Sequence, residues 1–425
     1  MRSIFGLDKD TRRAYIAAMF GFLLDAYDLL LILSVLPLIE ILFFPTLTGT
    51  LGLLATYGAL TISLLFRPLG SSLFGHLADR VGRRRILIIT VSGFAVFTFL
   101  IGILPIYDQV GILAPVLLYV IRALQGTFVG GEYAAGNPFA LEFTPQNRRG
   151  LVSGLLAAAF DAGVLLSSLV VFVLSSLLPG QEFVNYGWRI AFFTGIIPAA
   201  LALYVRLSVP ESRIWERQRK TLSETTRINV SPWLYVATSL LMAGFLYTYY
   251  STVGFYPTLV ANYLHYPLSL VSLVLVVING ALLLAHPGAG ALSDLIGRRL
   301  GLTLLALISI IAAVPVFIAL PSLASSFITL FVTLVLIGAL VNSAYGIHAA
   351  YVTESYPTLR RGWGYGFSYA IGMIIGAFAP MILVLLGSAL HSVFIAVAIN
   401  AALGLLLIMG VALTRPETKN LSMER

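Results

Sequence analysis

The sequence predicts an all-α membrane protein: about twelve transmembrane helices in two six-helix repeats, with both termini cytoplasmic. Three observations predict it: composition, the placement of charge and internal repetition. The 425 residues are 59% hydrophobic and only 10% charged, with a mean hydropathy of +0.95, whereas soluble domains are nearer a quarter charged. The apolar runs are long and numerous, with short polar breaks between them. That is the pattern of membrane helices of about 20 residues, not of the ~10-residue alternating strands of an outer-membrane barrel.

Reading the runs in order places spans at 14–37, 50–78, 86–104, 112–135, 150–178, 187–208, 233–262, 268–293, 300–320, 324–350, 363–388 and 391–413. The chain opens on "MRSIFGLDKDTRR", a polar segment that reads as a cytoplasmic end and not as a cleavable signal. Of the 26 Lys and Arg, 23 fall at the two ends or in the even-numbered connections. Arg189 falls on the opposite side, and Arg67 and Arg122 lie inside spans. This distribution obeys the positive-inside rule, so the net charge of +8 encodes orientation and calls for no nucleic-acid partner. Cysteine is absent, which excludes disulfides and thiolate metal sites. The five histidines show no metal spacing, and neither a metal nor a cofactor is expected. Few lysines and no cysteine suit a heat-adapted prokaryote.

Three phrases occur once in each half. "GHLADRVGRRR" (75–85) answers "GALSDLIGRRL" (290–300), "EFTPQNRRG" (142–150) answers "ESYPTLRRG" (354–362), and "PES" (210–212) answers "PET" (416–418). The same order at nearly constant offset means an internal duplication. Residues 1–208 and 233–425 are then two six-helix bundles joined by a cytoplasmic linker, 209–232. In the repeated loop, Gly75 and Gly82 permit a tight turn, while Asp79 can accept from a helix terminus or pair with Arg83. Asp294 and Arg298 are the second copy. Such contacts would latch the cytoplasmic ends together in one state of a two-state machine; the plainer alternative is that the arginines only orient the loop.

These phrases resemble the major facilitator superfamily. "GHLADRVGRR" is similar to its cytoplasmic loop signature, and "RALQG" (122–126) to its fourth-span motif, which implies a role for Arg122 in proton transfer. "RPLGSSLFGHLADRVGRR" (67–84) and "RALQGTFVGGEYAAG" (122–136) look like the metabolite:proton symporter branch, carriers of zwitterionic osmolytes, shikimate, citrate and 2-oxoglutarate. "LDAYD" (24–28) fits that branch, except that Ala26 takes the usual aromatic place, and it is also close to the "DAYD" of phosphate symporters. "GGEY" has relatives among sialate and lactate carriers, and "PESRIW" resembles sugar porters. The resemblance implies the major facilitator fold and alternating access.

Intramembrane charge is costly, about 2.5–3.5 kcal/mol per residue on the mild scale, so it marks function by default. Four acids lie at depth (Asp25, Asp28, Glu132 and Asp161) against two arginines. If each arginine takes one partner, two acids remain. Protonation neutralises a carboxylate but is not open to arginine, so the surplus acids read as proton carriers. All six charges are in the first half; the repeat places Leu282, Leu334 and Ala344 opposite Arg67, Arg122 and Glu132, so proton coupling is assigned to the first half. Asp28 is the leading proton site, with Asp25 as a partner titrating jointly with it; the bland reading is hydration near a helix end. Arg67 suits a substrate anion, or a permanent pair to Asp28 or Glu132. In a coupled cycle, substrate would displace Asp28 from Arg67. Glu132 is either relay or structural, whereas Glu142 and Glu354, beside the repeated RRG turns, read as scaffold.

For the substrate pocket the candidates are Arg67, Tyr27, Tyr247, Tyr250, Asn279, Asn342 and Tyr345. Tyr247, Tyr249 and Tyr250 cannot all face one cavity, and intramembrane polar groups often only bind helices together. No Walker loop, Ser-His-Asp set or metal cluster is present, which points away from an ATPase or an enzyme. The reading is a proton-coupled symporter of a small anionic or zwitterionic metabolite, a carboxylate first of all. It would work as a monomer in the inner membrane, with protons, the solute and the bilayer as partners. Phosphate or sugar uptake, proton-coupled export and a transporter-like nutrient sensor are the alternatives.

Overall fold

Each apolar run of the sequence is helical, and five of the twelve are broken. The computed structural model describes residues 9–81, 83–131, 140–141, 144–208, 230–324, 326–357 and 361–421. In the first half, α1 (Lys9–Ser34) and α2 (Leu36–Phe43) form one bent span. α3 (Thr50–Val81), α4 (Arg83–Gly102), α5 (Leu113–Gly130) and α6 (Arg149–Leu177) follow, and α7 (Trp188–Thr194) with α8 (Ile196–Ser208) makes the sixth. The second half has α9 (Pro232–Ser251) and its short continuation to Tyr263, α10 (Leu268–Ile296) and α11 (Arg298–Leu323). It is completed by α12 (Phe327–Asn342) with α13 (His348–Ser355), α14 (Arg361–Ala377) with α15 (Ala379–Ala389), and α16 (Val393–Thr414).

Among the described residues, nine helical stretches are long and apolar enough to cross a membrane, and ten when the bent α1–α2 pair is counted as one. The other two of the twelve are α4, whose apolar stretch Ile88–Gly102 is short, and α9, diluted by Thr, Ser and Tyr. The breaks have local causes. Proline opens α2, α15 and the turn Tyr256–Thr258. At a first turn it costs no hydrogen bond, whereas inside a continuous helix it would clash with the preceding turn. The first span, expected to end at residue 37, therefore bends by 58° and runs on to Phe43. Between α12 and α13 a tighter 3₁₀ turn, Ser343–Ile347, carries Tyr345; such irregular turns are favoured at functional positions.

Within the halves, α1 packs on α6 and α3 on α5, while α9 packs on α14 and α16. Two seams join the halves: α6 lies along α10, and α3 along α14. The first seam is close because it lacks side chains. A Cβ on Gly150 would fall 2.3 Å from the Gly290 carbonyl oxygen, and one on Gly154 would fall 2.4 Å from that of His286. Small residues let membrane helices approach backbone to backbone.

Candidate functional site

Asp25 and Asp28 lie on one side of α1, three residues apart, and both are buried. The 4.5 Å rise between positions of that spacing gives them different neighbours. Asp25 meets Arg67 of α3 in a fork: Nη2 to Oδ1 at 3.0 Å and Nη1 to Oδ2 at 3.4 Å. Asp28 faces α4 and α5. Arg122 Nη1 is 3.4 Å from its Oδ2, while Thr98 Oγ1 and Gln125 Nε2 each donate to Oδ1 at 2.7 Å. Arg122 also donates to Gln125 Oε1 and to the Ala59 carbonyl. The Asp28 carboxylate thus has three donors, a set that suits its ionised form.

Between the halves lies a cavity lined by Phe160 and Asp161 of the first half and by Phe245, Leu246, Tyr249, Tyr250, His286, Asn342, Tyr345, Tyr369 and Met373 of the second. Arg67 borders it, with Nη1 3.5 Å from Met373 Sδ. Aromatic walls with a few convergent polar groups are the usual make-up of a small-solute site. Asp161 Oδ2 contacts His286 Nδ1 at 2.5 Å, and His286 Nε2 is 3.0 Å from the Asn342 carbonyl oxygen.

Contacts between the halves close both ends. At one end, Tyr57 bonds Thr258 (2.9 Å) and stacks on Phe255, and Asn262 donates to Glu40. At the arginine-rich end, the Asp294 carboxylate accepts from the backbone N–H groups of Gly150 (2.9 Å) and Leu151 (2.8 Å), in the first turn of α6. Those N–H groups have no helical acceptor, and the helix N-terminus favours negative charge. Arg298 ties Asp294 (2.7 Å) to Glu354 (3.2 Å). In the reverse sense, Ser153 of α6 accepts from the N–H groups of Ala349 and Ala350, in the first turn of α13. The C-terminal tail joins in, with Glu417 accepting from the backbone of Arg298, Arg299, Thr418 and Lys419. Burial raises the Glu417 carboxyl, but these four N–H groups outweigh it and hold the group below the usual range.

Residues 14–231 match the Sugar (and other) transporter family, and residues 244–424 match the Major Facilitator Superfamily. The chain belongs to the major facilitator superfamily. It is a multi-pass membrane transporter and not an enzyme. The shikimate transporter of Escherichia coli (strain K12) is 30% identical over 380 residues, covering 87% of this chain and 86% of that one. The proline/betaine transporter of the same strain is 29% identical over 387 residues, with 88% and 77% covered. Its alpha-ketoglutarate permease is 29% identical over 374 residues, with 86% and 85% covered. In fold, the chain is similar to the partially occluded, inward-open xylose transporter XylE from E. coli. There the TM-score is 0.78 at 17% identity, covering 98% and 100% of the two chains.

Several residue-level expectations for this transporter need correction. Arg67 pairs with Asp25 and not with Asp28, because Asp28 points toward α4 and α5. Asp25 and Asp28, expected as partners, each have their own arginine. The expected surplus of unpaired acids shrinks too: Asp25, Asp28 and Asp161 all have basic partners. Tyr250, Asn342 and Tyr345 line the cavity, together with Tyr249. Tyr27, Tyr247 and Asn279 do not. The Tyr27 hydroxyl bonds Thr194 (2.6 Å), the Tyr247 hydroxyl donates to Asn400, and Asn279 donates to the Leu275 carbonyl of its own helix. Glu354, expected as scaffold, belongs to the Arg298 cluster. Gly75 falls on α3, but Gly82, Glu132, Glu142 and the side chains of Asp79 and Arg83 lie outside the described residues.

Sequence reasoning missed His286. It is an ionisable residue inside a predicted span, and the default that singled out the acids and arginines applies to it equally.

Proposed function

We propose that this transporter takes up a small carboxylate-bearing or zwitterionic metabolite across the inner membrane together with protons, by alternating access. The observation that carries this reading is Asp28, a buried carboxylate held by Arg122, Gln125 and Thr98 in a sealed part of the first half. Protonating it neutralises the carboxylate while Arg122 keeps its hydrogen bonds to Gln125 and the Ala59 carbonyl, so the cluster has two arrangements that differ by one proton. Arg67 is the anion contact: it borders the aromatic cavity, and a solute carboxylate would exchange for Asp25 on the same guanidinium fork. Asp294 and Arg298 serve as the latch of the cytoplasmic side. The cavity is enclosed by the two halves of one chain, which supports a monomer as the working unit. The curated relatives, named for shikimate, proline/betaine and alpha-ketoglutarate, support solutes of this class.

Purified protein in liposomes, given an inward proton gradient, tests the reading with radiolabelled L-proline, shikimate and 2-oxoglutarate, and with xylose as a neutral control. Accumulation of at least one acid above its external concentration, abolished by a protonophore, is expected. Xylose uptake with none of the three acids would refute it, since neutral hydroxyls give Arg67 no task.

A further inference from the structure

We propose that Asp161 and His286 form a second proton site, one whose proton is held or released according to how the two halves are placed. The argument starts from which pairs cross between halves. Asp25–Arg67 and Asp28–Arg122 each join two helices of the first half, so rocking one bundle against the other leaves both intact. Asp161 is on α6 and His286 on α10, opposite sides of a seam, and rocking must separate them.

The partners fix the proton count. The Asn342 carbonyl can only accept, so His286 Nε2 carries a hydrogen. A bare Nδ1 lone pair facing a carboxylate oxygen would repel it, so one further proton lies between Nδ1 and Oδ2, whichever atom owns it. The closed contact thus holds one proton and no net charge, which makes its burial affordable. Asp161 lines the cavity, and its buried Oδ1 has no hydrogen-bond partner among the described residues, which leaves it able to accept from a solute's donor. Among the described residues, the side chains facing the pair are Tyr249 from α9, Tyr345 with its ring centroid 5.6 Å from that of His286, and His348 stacked on Tyr345, while the charged Arg67 reaches the same cavity at Met373.

Depth supplies the coupling. His286 and Pro287 rest on Gly154, and Gly290 on Gly150, one to two turns nearer the basic end. This backbone seam runs from His286, in the cavity wall, toward the basic end. Parting it admits cytoplasmic water to Asp161 and His286 in the same movement that opens the cavity, so solute and proton leave together. The inference rests on proton-coupled uptake, and it adds to the first half's Asp28 a site that neither half holds alone.

Asp161→Asn is the decisive variant. Its amide can donate to Nδ1 while Nε2–H keeps Asn342, so both hydrogen bonds survive and only the exchangeable proton is lost. Proteoliposomes containing a pH dye and radiolabelled L-proline, shikimate or 2-oxoglutarate report protons taken up per solute. The expected result is a lower proton-to-solute ratio with solute exchange retained, and recovery of the ratio in the swapped Asp161→His, His286→Asp protein. A wild-type ratio in Asp161→Asn would overturn the proposal. If Asp161→Asn is not monodisperse, His286→Gln takes its place with the same two outcomes. Solute uptake without protons in the wild type would instead overturn the symport reading itself, and this inference with it.

Discussion

Replacing Asp294 with alanine should open the cytoplasmic side. In the closed form this carboxylate accepts two backbone hydrogen bonds from the first turn of α6, at 2.9 and 2.8 Å. Hydrogen bonds to a charged acceptor contribute about 1.5–3 kcal/mol each, and the lower figure suits a site near the membrane surface. Two such bonds stabilise the closed state by about 3 kcal/mol, on the order of a hundredfold in population. Arg298 keeps Glu354 as a partner after the change, so the loss falls on the contact between halves and not on the fold of the second half. The natural absence of cysteine makes the assay direct. Ala289→Cys, at a buried position beside Gly290 in the seam, is labelled by a membrane-impermeant maleimide in inside-out vesicles. When only the open form reacts, the labelling rate follows its population. The rate should rise by a factor approaching one hundred with Asp294→Ala, and by less with Asp294→Asn, which keeps one acceptor oxygen. An unchanged rate would show that Asp294 merely decorates a seam held by the glycine packing.

Two further outcomes follow from the same contacts. Arg67→Ala strands the Asp25 carboxylate in the bundle interior, a change that costs about 3–5 kcal/mol when a buried pair loses one member; in thermal melts the Arg67→Ala, Asp25→Ala double variant should be more stable than the Arg67→Ala single one. Glu417 has its carboxyl held below the ordinary range in the folded chain, so its contribution is complete above the unfolded value of about 4.3 and fades as pH falls through the folded one. The melting gap between wild type and Glu417→Gln should therefore be constant from pH 7 to about 5 and narrow below that; a gap that widens toward acid would contradict the assignment.

What the sequence disclosed and what it withheld divide along physical lines. Hydropathy reports burial in lipid, and it placed the twelve runs; the duplicated loop phrases point to two halves, because a repeat needs only self-similarity. The bends in five spans were harder to see. Proline at residues 37, 257 and 380 was visible, but a proline inside an apolar run reads alike as a kink in one helix or the start of another. The buried acids and arginines stood out for their cost in lipid. Their partners did not, because spacing along α1 gives the face of a helix and not the identity of the helix opposite. Asp25 and Asp28 share a face and still reach different arginines. His286 went unseen for another reason: formally neutral and set beside a proline, it added nothing to a count of fixed charges. Its significance comes from Asp161, 125 residues away, across a seam formed only when the halves meet. Tyr247, Tyr249 and Tyr250 show the same limit: the residue on α9 that turns away from the cavity is the one that finds Asn400 on α16.

The most direct test of the central claim is proton movement driven by solute alone. Wild-type and Asp28→Asn proteoliposomes, free of any imposed gradient and loaded with a pH dye, receive the solute that the wild type accumulates. The account predicts lumen acidification in the wild type and none in Asp28→Asn, with solute exchange persisting in both. Equal acidification by the two proteins would contradict it, and would move proton coupling away from the first-half cluster.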